Sequence, residues 1–216
     1  MFIRTAFMTA AASLALAGAA HAGAGFTPER KGMLVVTARI TDVAPQSDTP
    51  LLTGAGADSG LKAHVGYDIM PTLGFTYFLT DHIAAEAILG STQHHVSAVA
   101  PGVDLPVRDE WVLPPIVTLQ YHAAPKARLD PYVGAGVNYM LFYAGQDFPG
   151  FHTHLKDGFG WALQGGVNYA VAGPWALNLD AKKVFFKTNA TVNNGALTSH
   201  IGLDPWVLSA GFSRRF

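Results

Sequence analysis

Large apolar side chains alternate with small or polar ones along most of the chain after residue 33. In one such stretch Leu73, Phe75 and Tyr77 share one parity, and Gly74 and Thr76 share the other. Successive side chains of a β-strand point to opposite faces, so this period of two predicts strands rather than amphipathic helices. The eight predicted strands are 34–41, 72–79, 83–89, 117–121, 133–139, 160–169, 175–182 and 206–212.

The connections between these strands alternate in length. The short ones are 80–82, 123–130 and 171–174, and the long ones are 44–64, 96–110, 144–158 and 188–202. Long extracellular loops and short periplasmic turns are typical of bacterial outer-membrane barrels. The pattern therefore predicts an all-β fold, an eight-stranded antiparallel transmembrane β-barrel in the outer membrane of a Gram-negative cell. Both termini would lie in the periplasm.

The chemistry of the two faces separates a membrane barrel from a soluble barrel or sandwich. A soluble barrel turns its polar face to water, whereas here the second parity is mostly Gly, Ala and Thr with one or two polar residues per strand. Only 13% of the residues are charged, against roughly 25% in ordinary soluble domains. Aromatic residues near the predicted strand ends suit the interfacial girdles of a membrane barrel. These are Trp111, Tyr121, Tyr132, Tyr143, Tyr169, Trp175 and Phe216.

Composition also excludes several functions and indicates a compartment. The formal net charge of −1 leaves no basic surplus for binding nucleic acid, and the absence of cysteine excludes disulfides and thiol nucleophiles. Residues 1–22 combine Arg4, an apolar run and the small-residue site Ala20-His21-Ala22. This pattern predicts a cleaved signal peptide, with the barrel formed by residues 23–216.

Several motifs carry a resemblance to a known family. Leu113-Pro114-Pro115, the segment 131–139 (PYVGAGVNY) and the segment 203–207 (LDPWV) occur in the order found in the OmpW family of outer-membrane proteins. The stretch 76–81 followed by Glu86 also resembles that family. The resemblance implies an eight-stranded barrel with a narrow, largely hydrophobic channel for small apolar molecules. The terminal Phe216 resembles the signal recognised by the barrel assembly machinery, which is an expected partner.

The polar parity supplies candidate residues for the lumen. The candidates are Arg39, Thr76, Glu86, Gln120, Asn138, Gln164, Asn178, Asp180 and Lys182, together with the glycines Gly74, Gly134, Gly136 and Gly166. The charged candidates could form a gate or solute filter, or a structural ion-pair plug, since buried charges must pair. The glycines could widen a passage or relieve crowding.

The sequence gives little support for a metal site or a catalytic site. His94-His95 and His152-Thr153-His154 lie in or beside long connections, but no Asp, Glu or Cys completes a recognisable ligand spacing. Ser209 lacks a neighbouring base, and no Gly-x-Ser-x-Gly occurs. We expect no metal, no cofactor and no enzymatic activity.

The sequence therefore predicts a passive channel for small, mainly hydrophobic solutes. Its expected partners are outer-membrane lipid and lipopolysaccharide, the assembly machinery and the solutes, with no nucleic acid. The alternative is a closed structural barrel whose extracellular loops bind a partner, as in adhesion or as a phage or bacteriocin receptor.

Overall fold

The computed structural model describes residues 25–46 and 49–216, and these residues are almost entirely β-structure. The expected signal peptide, residues 1–22, lies outside the described residues. The strands are β1 (Leu34–Ala44), β2 (Thr49–Thr53), β3 (Asp58–Val65), β4 (Asp68–Phe78), β5 (Ile83–Leu89), β6 (Thr92–Ala100), β7 (Val103–Leu113), β8 (Ile116–His122), β9 (Leu129–Asp147), β10 (Thr153–Leu155), β11 (Gly158–Ala172), β12 (Trp175–Phe185), β13 (Lys187–Val192), β14 (Leu197–Gly202) and β15 (Trp206–Arg215). A single 3₁₀ turn, Asn193–Gly195, links β13 to β14 in the described part of the chain.

Eight of these strands close into an antiparallel barrel, which confirms the predicted fold. The cyclic order is β1, β4, β5, β8, β9, β11, β12 and β15, and β15 pairs with β1 to complete the ring. Closure pairs Ile40 with both Ala210 and Pro71, so the first strand is hydrogen-bonded on both sides. A closed ring leaves no exposed sheet edge.

The long connections are not irregular loops, as the sequence pattern suggested, but further β-hairpins. Strands β2, β3, β6, β7, β10, β13 and β14 join the end of β9 in a second sheet that prolongs the barrel wall. The alternation is hard to see here because bulges shift the register, for example at Val107 of β7, the extra residue opposite Val96 and Ser97. A bulge inserts a residue and so inverts the parity of everything after it.

The two ends of the barrel differ in their connections. At one end, called the hairpin end, the second sheet stands above the ring; at the other, called the turn end, the strands reverse in tight turns. In the β4–β5 turn the Thr80 hydroxyl accepts hydrogen bonds from the backbone N–H groups of His82 and Ile83. In the β11–β12 turn Gly173 adopts a φ of +52°, which favours glycine.

The exterior of the ring is apolar, and the interior holds nearly all of its polar side chains. Ile40, Leu119, Val137 and Leu163 are exposed, as their predicted parity requires. Tyr132 is an exception to the expected aromatic girdle, because it is buried inside the barrel; its position has the lumen parity, which outweighs its closeness to a strand end. No helix in the described residues has the length and hydropathy to cross a membrane.

An apolar exterior predicts a strong penalty for charge at the middle of the wall. Leu163→Arg should lower the free energy of unfolding by about 2–4 kcal/mol, because the guanidinium would face hydrocarbon. The measurement is reversible unfolding of the barrel in lipid bilayers by denaturant.

The matched control is Leu105→Arg, at a residue of β7 in the second sheet. Leu105 is 44% exposed and Leu163 is 47% exposed, so the two changes differ mainly in their surroundings. Equal penalties at both positions would show that the ring is not embedded in hydrocarbon.

Candidate functional site

The interior of the barrel is divided into three levels along its axis. An apolar cavity lies toward the hairpin end, a hydrogen-bonded network of charged and amide side chains fills the middle, and a second polar cluster closes the turn end. We call these levels the vestibule, the polar plug and the turn-end cluster.

The vestibule is a cavity of about 50 Å³ with an almost wholly apolar lining. Its walls include Val43, Val112, Met140, Phe142 and Leu203. Beneath it a buried apolar cluster forms the floor, and its members include Met70, Ile116, Ala162, Val184, Phe186 and Val207. The cavity therefore offers a small solute dispersion contacts and few hydrogen bonds.

Two polar groups in the vestibule lining are kept from acting as free charges. His94 lies with its Nδ1 2.7 Å from the Gly66 carbonyl oxygen, to which it donates, and burial holds the pKa of His94 below its ordinary value. The ring is therefore neutral at pH 7. Glu110 is paired with Arg108, which also donates to Asp147 at 2.8 Å.

The polar plug is built around Glu86 of β5. Arg39 donates from Nη2 to Glu86 Oε1 at 2.6 Å, and the Lys182 Nζ lies 3.2 Å from Glu86 Oε2. Lys182 also contacts Asp180. The two cations and two carboxylates sum to zero charge, and all four side chains are almost fully buried.

Neutral side chains complete the plug. Gln164 donates from Nε2 to Glu86 Oε2 at 2.7 Å and to Asp180 Oδ2 at 2.6 Å, and Gln120 donates to Glu86 Oε2 at 3.0 Å. The Tyr132 hydroxyl donates to Asp180 Oδ2 at 2.7 Å. The network spans the barrel from wall to wall, which favours a structural plug over an open filter.

The remaining candidates have smaller parts in the interior. Asn178 accepts from Arg39 Nε at 2.7 Å and donates to the Tyr132 hydroxyl at 3.0 Å. Thr76 is buried and lines a cavity of about 10 Å³, room for about one water molecule. Asn138 is buried near Gly160, and its amide atoms hydrogen-bond to no group in the described chain.

The lumen glycines accommodate neighbouring atoms and do not widen a passage. A Cβ at Gly74 would lie 2.2 Å from Arg39 Nη1, and one at Gly166 would lie 2.4 Å from the Tyr132 ring. At Gly134 and Gly136 a Cβ would meet the carbonyl oxygens of the adjacent strand at 2.9 and 1.9 Å. At Gly74 and Gly166 the missing side chain leaves room for the plug, and at Gly134 and Gly136 it allows the close approach of the neighbouring strand.

The turn-end cluster brings the N-terminal segment into the barrel. Residues 25–33 cross the mouth, with backbone hydrogen bonds from Thr27 to Gly173, from Glu29 to Pro125 and from Gly32 to Phe78. These three acceptors lie in or beside three different turns. The segment is therefore tied across the opening.

The side chain of Glu29 turns inward from this segment. Its Oε1 accepts hydrogen bonds from Arg215 Nη2 at 2.9 Å and from Asn168 Nδ2 at 3.2 Å. Beside it the His122 Nδ1 lies 2.6 Å from Asp130 Oδ2. Every one of these side chains is buried.

Sequence reasoning missed most of this cluster. His122 lies one lumen position beyond its predicted strand, and Asp130 and Arg215 lie two lumen positions beyond theirs, so longer strands would have found all three. Glu29 lies in a segment with no alternation and gave no signal. The histidine pairs singled out from sequence belong to no three-residue ligand group. Within the described ranges one such group occurs, Glu29, His122 and Asp130, whose ligand-type atoms lie within 4.8 Å of one another.

Phe216 ends the chain at the turn end. Its backbone pairs with Leu34 in both directions, and its exposed ring lies 4.9 Å from the Arg214 guanidinium. Its function as an assembly signal stays a prediction.

Comparison with known proteins identifies the family. The sequence pattern of the OmpW family matches residues 30–216, which is nearly the whole described barrel. The chain belongs to the OmpW family. The uncharacterized outer-membrane protein y4mB of Sinorhizobium fredii is 41% identical to it over 152 residues, or 68% of this chain and 66% of that protein, just under two thirds of its length.

Two further comparisons agree with this assignment. Outer membrane protein AlkL of Ectopseudomonas oleovorans is 32% identical over 181 residues, covering 77% of this chain and 74% of that protein. The crystal structure of OprG from Pseudomonas aeruginosa has the same fold, with a TM-score of 0.82 at 24% identity over 89% of this chain and 99% of that one. This OmpW-family protein is an outer-membrane barrel.

The plug predicts strong coupling between Arg39 and Glu86. Arg39→Ala or Glu86→Ala alone should lower the free energy of unfolding by about 3–5 kcal/mol, because each leaves an unpaired charge in the interior. The double variant keeps the plug neutral, since Lys182 still pairs with Asp180. Its cost should therefore fall short of the sum of the two single costs by about 1–3 kcal/mol.

Denaturant unfolding in bilayers measures all three variants of this cycle. Strictly additive costs would show that the two residues do not act as a pair.

Proposed function

We propose that this OmpW-family barrel is a passive conduit for small, mainly hydrophobic solutes. The vestibule carries the proposal: an apolar cavity at the hairpin end of a barrel whose deeper interior is polar. Such a cavity favours hydrocarbon-like molecules over hydrated ones, because it offers burial without hydrogen-bond partners. The proposed orientation places the hairpin end outside the cell and the turn end, with both termini, in the periplasm.

The polar plug closes the axial path beneath the vestibule. An apolar solute that moved along the axis would have to separate Glu86 from two cations without replacing their hydrogen bonds, which costs several kcal/mol. The family's expected hydrophobic channel therefore does not run through the middle of this barrel. A solute in the vestibule needs another exit.

The barrel wall is interrupted at the level of the vestibule floor, between β4 and the segment that joins β5 to β6. Pairing of β4 with β5 ends at Leu73 and Leu89, and pairing of β3 with β6 begins only at Val65 and Val96. Between them the Gly66 N–H donates to the His95 carbonyl. We call this interruption, residues 69–72 facing 90–93, the seam.

The seam lies directly beside the vestibule floor. Met70 belongs to the floor cluster, and a Cβ at Gly90 would lie 3.5 Å from Met70 Cε and 2.6 Å from Thr72 Cγ2. The Asp68 carboxylate accepts from Thr92 and Gln93 and so bridges the upper part of the seam. Side chains, and not a backbone ladder, hold the wall together here, so the proposed exit for the solute is sideways into the outer leaflet.

The orientation predicts which connections are accessible on intact cells. Epitope tags inserted near Gly54, Pro101, Gly150 and Asn194 should be labelled, because these residues lie in connections at the hairpin end. Tags near Asp81, Lys126 and Gly173 should be labelled only after the outer membrane is permeabilised. Surface labelling at Lys126 would reverse the proposed orientation.

A disulfide across the seam tests the route. The chain contains no cysteine, and the Cβ position at Gly90 lies 3.4 Å from Thr72 Cβ, which is close to the separation in natural disulfides. In cells that carry Thr72→Cys with Gly90→Cys, oxidation should slow uptake of an apolar fluorescent tracer to the level of cells without the protein. A reductant should restore it.

The single variants Thr72→Cys and Gly90→Cys are the matched controls, and oxidation should leave their uptake unchanged. Two results together would indicate a route along the barrel axis. They are unchanged uptake by the oxidised double-cysteine variant and faster uptake by the double variant that lacks the Arg39 and Glu86 side chains. If every variant, and the unaltered protein, gave the same uptake as cells without the protein, the barrel would not be a conduit. The alternative of a closed barrel whose loops bind a partner would then be favoured.

A further inference from the structure

Three potential metal-ligand atoms converge at the turn end of the barrel. His122 Nδ1 lies 2.6 Å from Asp130 Oδ2 and 3.6 Å from Glu29 Oε2, and the three ligand-type atoms all lie within 4.8 Å of one another. Ligands bonded at about 2.0–2.2 Å in a tetrahedral shell lie roughly 3.3–3.6 Å apart. A shift of less than an ångström between His122 and Asp130 would reach that spacing.

Each of the three side chains has a second polar atom that faces away from this space and is hydrogen-bonded to a neighbouring group. These hydrogen bonds orient the side chains so that the ligand-type atoms point inward. His122 Nε2 lies 3.1 Å from Gln120 Oε1, which can only accept, so Nε2 donates. Asp130 Oδ1 accepts from the Ala124 N–H at 2.8 Å, and Glu29 Oε1 accepts from Arg215. Outer hydrogen bonds that orient an imidazole and its carboxylates in this way are typical of metal sites.

An unpartnered carboxylate oxygen points into the same space. Glu29 Oε2 is buried and accepts no hydrogen bond from the described residues, although its side chain is only 1% exposed. The Asp130 carboxylate and the His122 imidazole face the same space, so a divalent cation there would be in reach of both carboxylates and of the imidazole.

We propose that Glu29, His122 and Asp130 form a binding site for a zinc-class divalent cation. One imidazole and two carboxylates are a donor set that suits Zn²⁺ better than Mg²⁺ or Ca²⁺, which prefer oxygen ligands alone. The cation would join the N-terminal segment to β8 and β9 and so fasten that segment across the mouth. The site is independent of the proposed transport function.

Zinc binding can be measured directly on the purified mature barrel in detergent. Titration of Zn²⁺ against a chromophoric chelator should show one site per barrel, and X-ray absorption should show one imidazole nitrogen among oxygen ligands. Gln120→Leu, which removes the partner of Nε2 without removing a ligand, should weaken binding by about tenfold. Glu29→Gln and Asp130→Asn each remove a charged ligand and should weaken binding further than Gln120→Leu does.

The matched control removes three exposed histidines at the hairpin end. His95 is an alternative zinc ligand, since it is exposed and lies 2.5 Å from Asp109, so a variant with His95, His152 and His154 changed to Ala should keep the site. If that variant loses zinc while Glu29→Gln keeps it, the site lies elsewhere and the proposal is wrong. The absence of binding in the unaltered barrel would also overturn it.

A test on the unaltered barrel covers variants that fail to fold. Zn²⁺, but not Mg²⁺, should slow tryptic cleavage after Arg30 and Lys31, which are exposed on the same segment as Glu29. Equal cleavage with and without Zn²⁺ would contradict a metal that fastens the segment.

Discussion

The neutralisation of Glu86 is the interaction on which the interior of this barrel depends. A carboxylate that is 1% exposed is tolerable in a narrow lumen only if charged and polar partners surround it. Here two cations from β1 and β12 and two amides from β8 and β11 contact the same carboxylate. Four strands besides its own are thereby tied to one group, and the space needed for its partners explains why Gly74 cannot carry a side chain.

This arrangement separates the two chemical characters of the lumen. Charged residues gather in the middle, where they satisfy one another, and the apolar residues above them are left to form a cavity. A polar solute would find no free groups in the vestibule, and an apolar one would find no path through the plug. For the proposed conduit, the interruption of the wall at Gly90 would therefore matter more than the width of the barrel axis.

The sequence predicted the barrel because alternation survives wherever strands are regular. Arg39, Glu86 and Lys182 were placed on the lumen parity from their neighbours alone, and in the structure both cations contact Glu86. Alternation shows which side chains face the lumen but not which strands face each other across it. The partners of each charged side chain therefore follow only from the strand order and register of the folded barrel. The hairpins of the second sheet escaped prediction because bulges such as that at Val107 in β7 reverse parity within a strand.

Residues outside regular strands were harder to predict. Glu29 precedes β1, and its partners His122 and Arg215 are distant in sequence, so no local pattern links them. Tyr132 illustrates a different difficulty: an aromatic at a strand end fits a membrane interface, yet its parity turns it inward to Asp180. Parity is the stronger indicator because it follows from backbone geometry, whereas the interfacial preference is a statistical tendency.

The contact between Glu29 and Arg215 also constrains the order of assembly. The two residues are 186 positions apart, one before the first strand and the other at the end of the last. Arg215 reaches its place only when β15 has paired with β1, since Val35 and Arg215 are partners in that register. The contact between Glu29 and Arg215 can therefore form only in a closed ring, so a barrel halted before closure would lack this attachment of its amino-terminal segment.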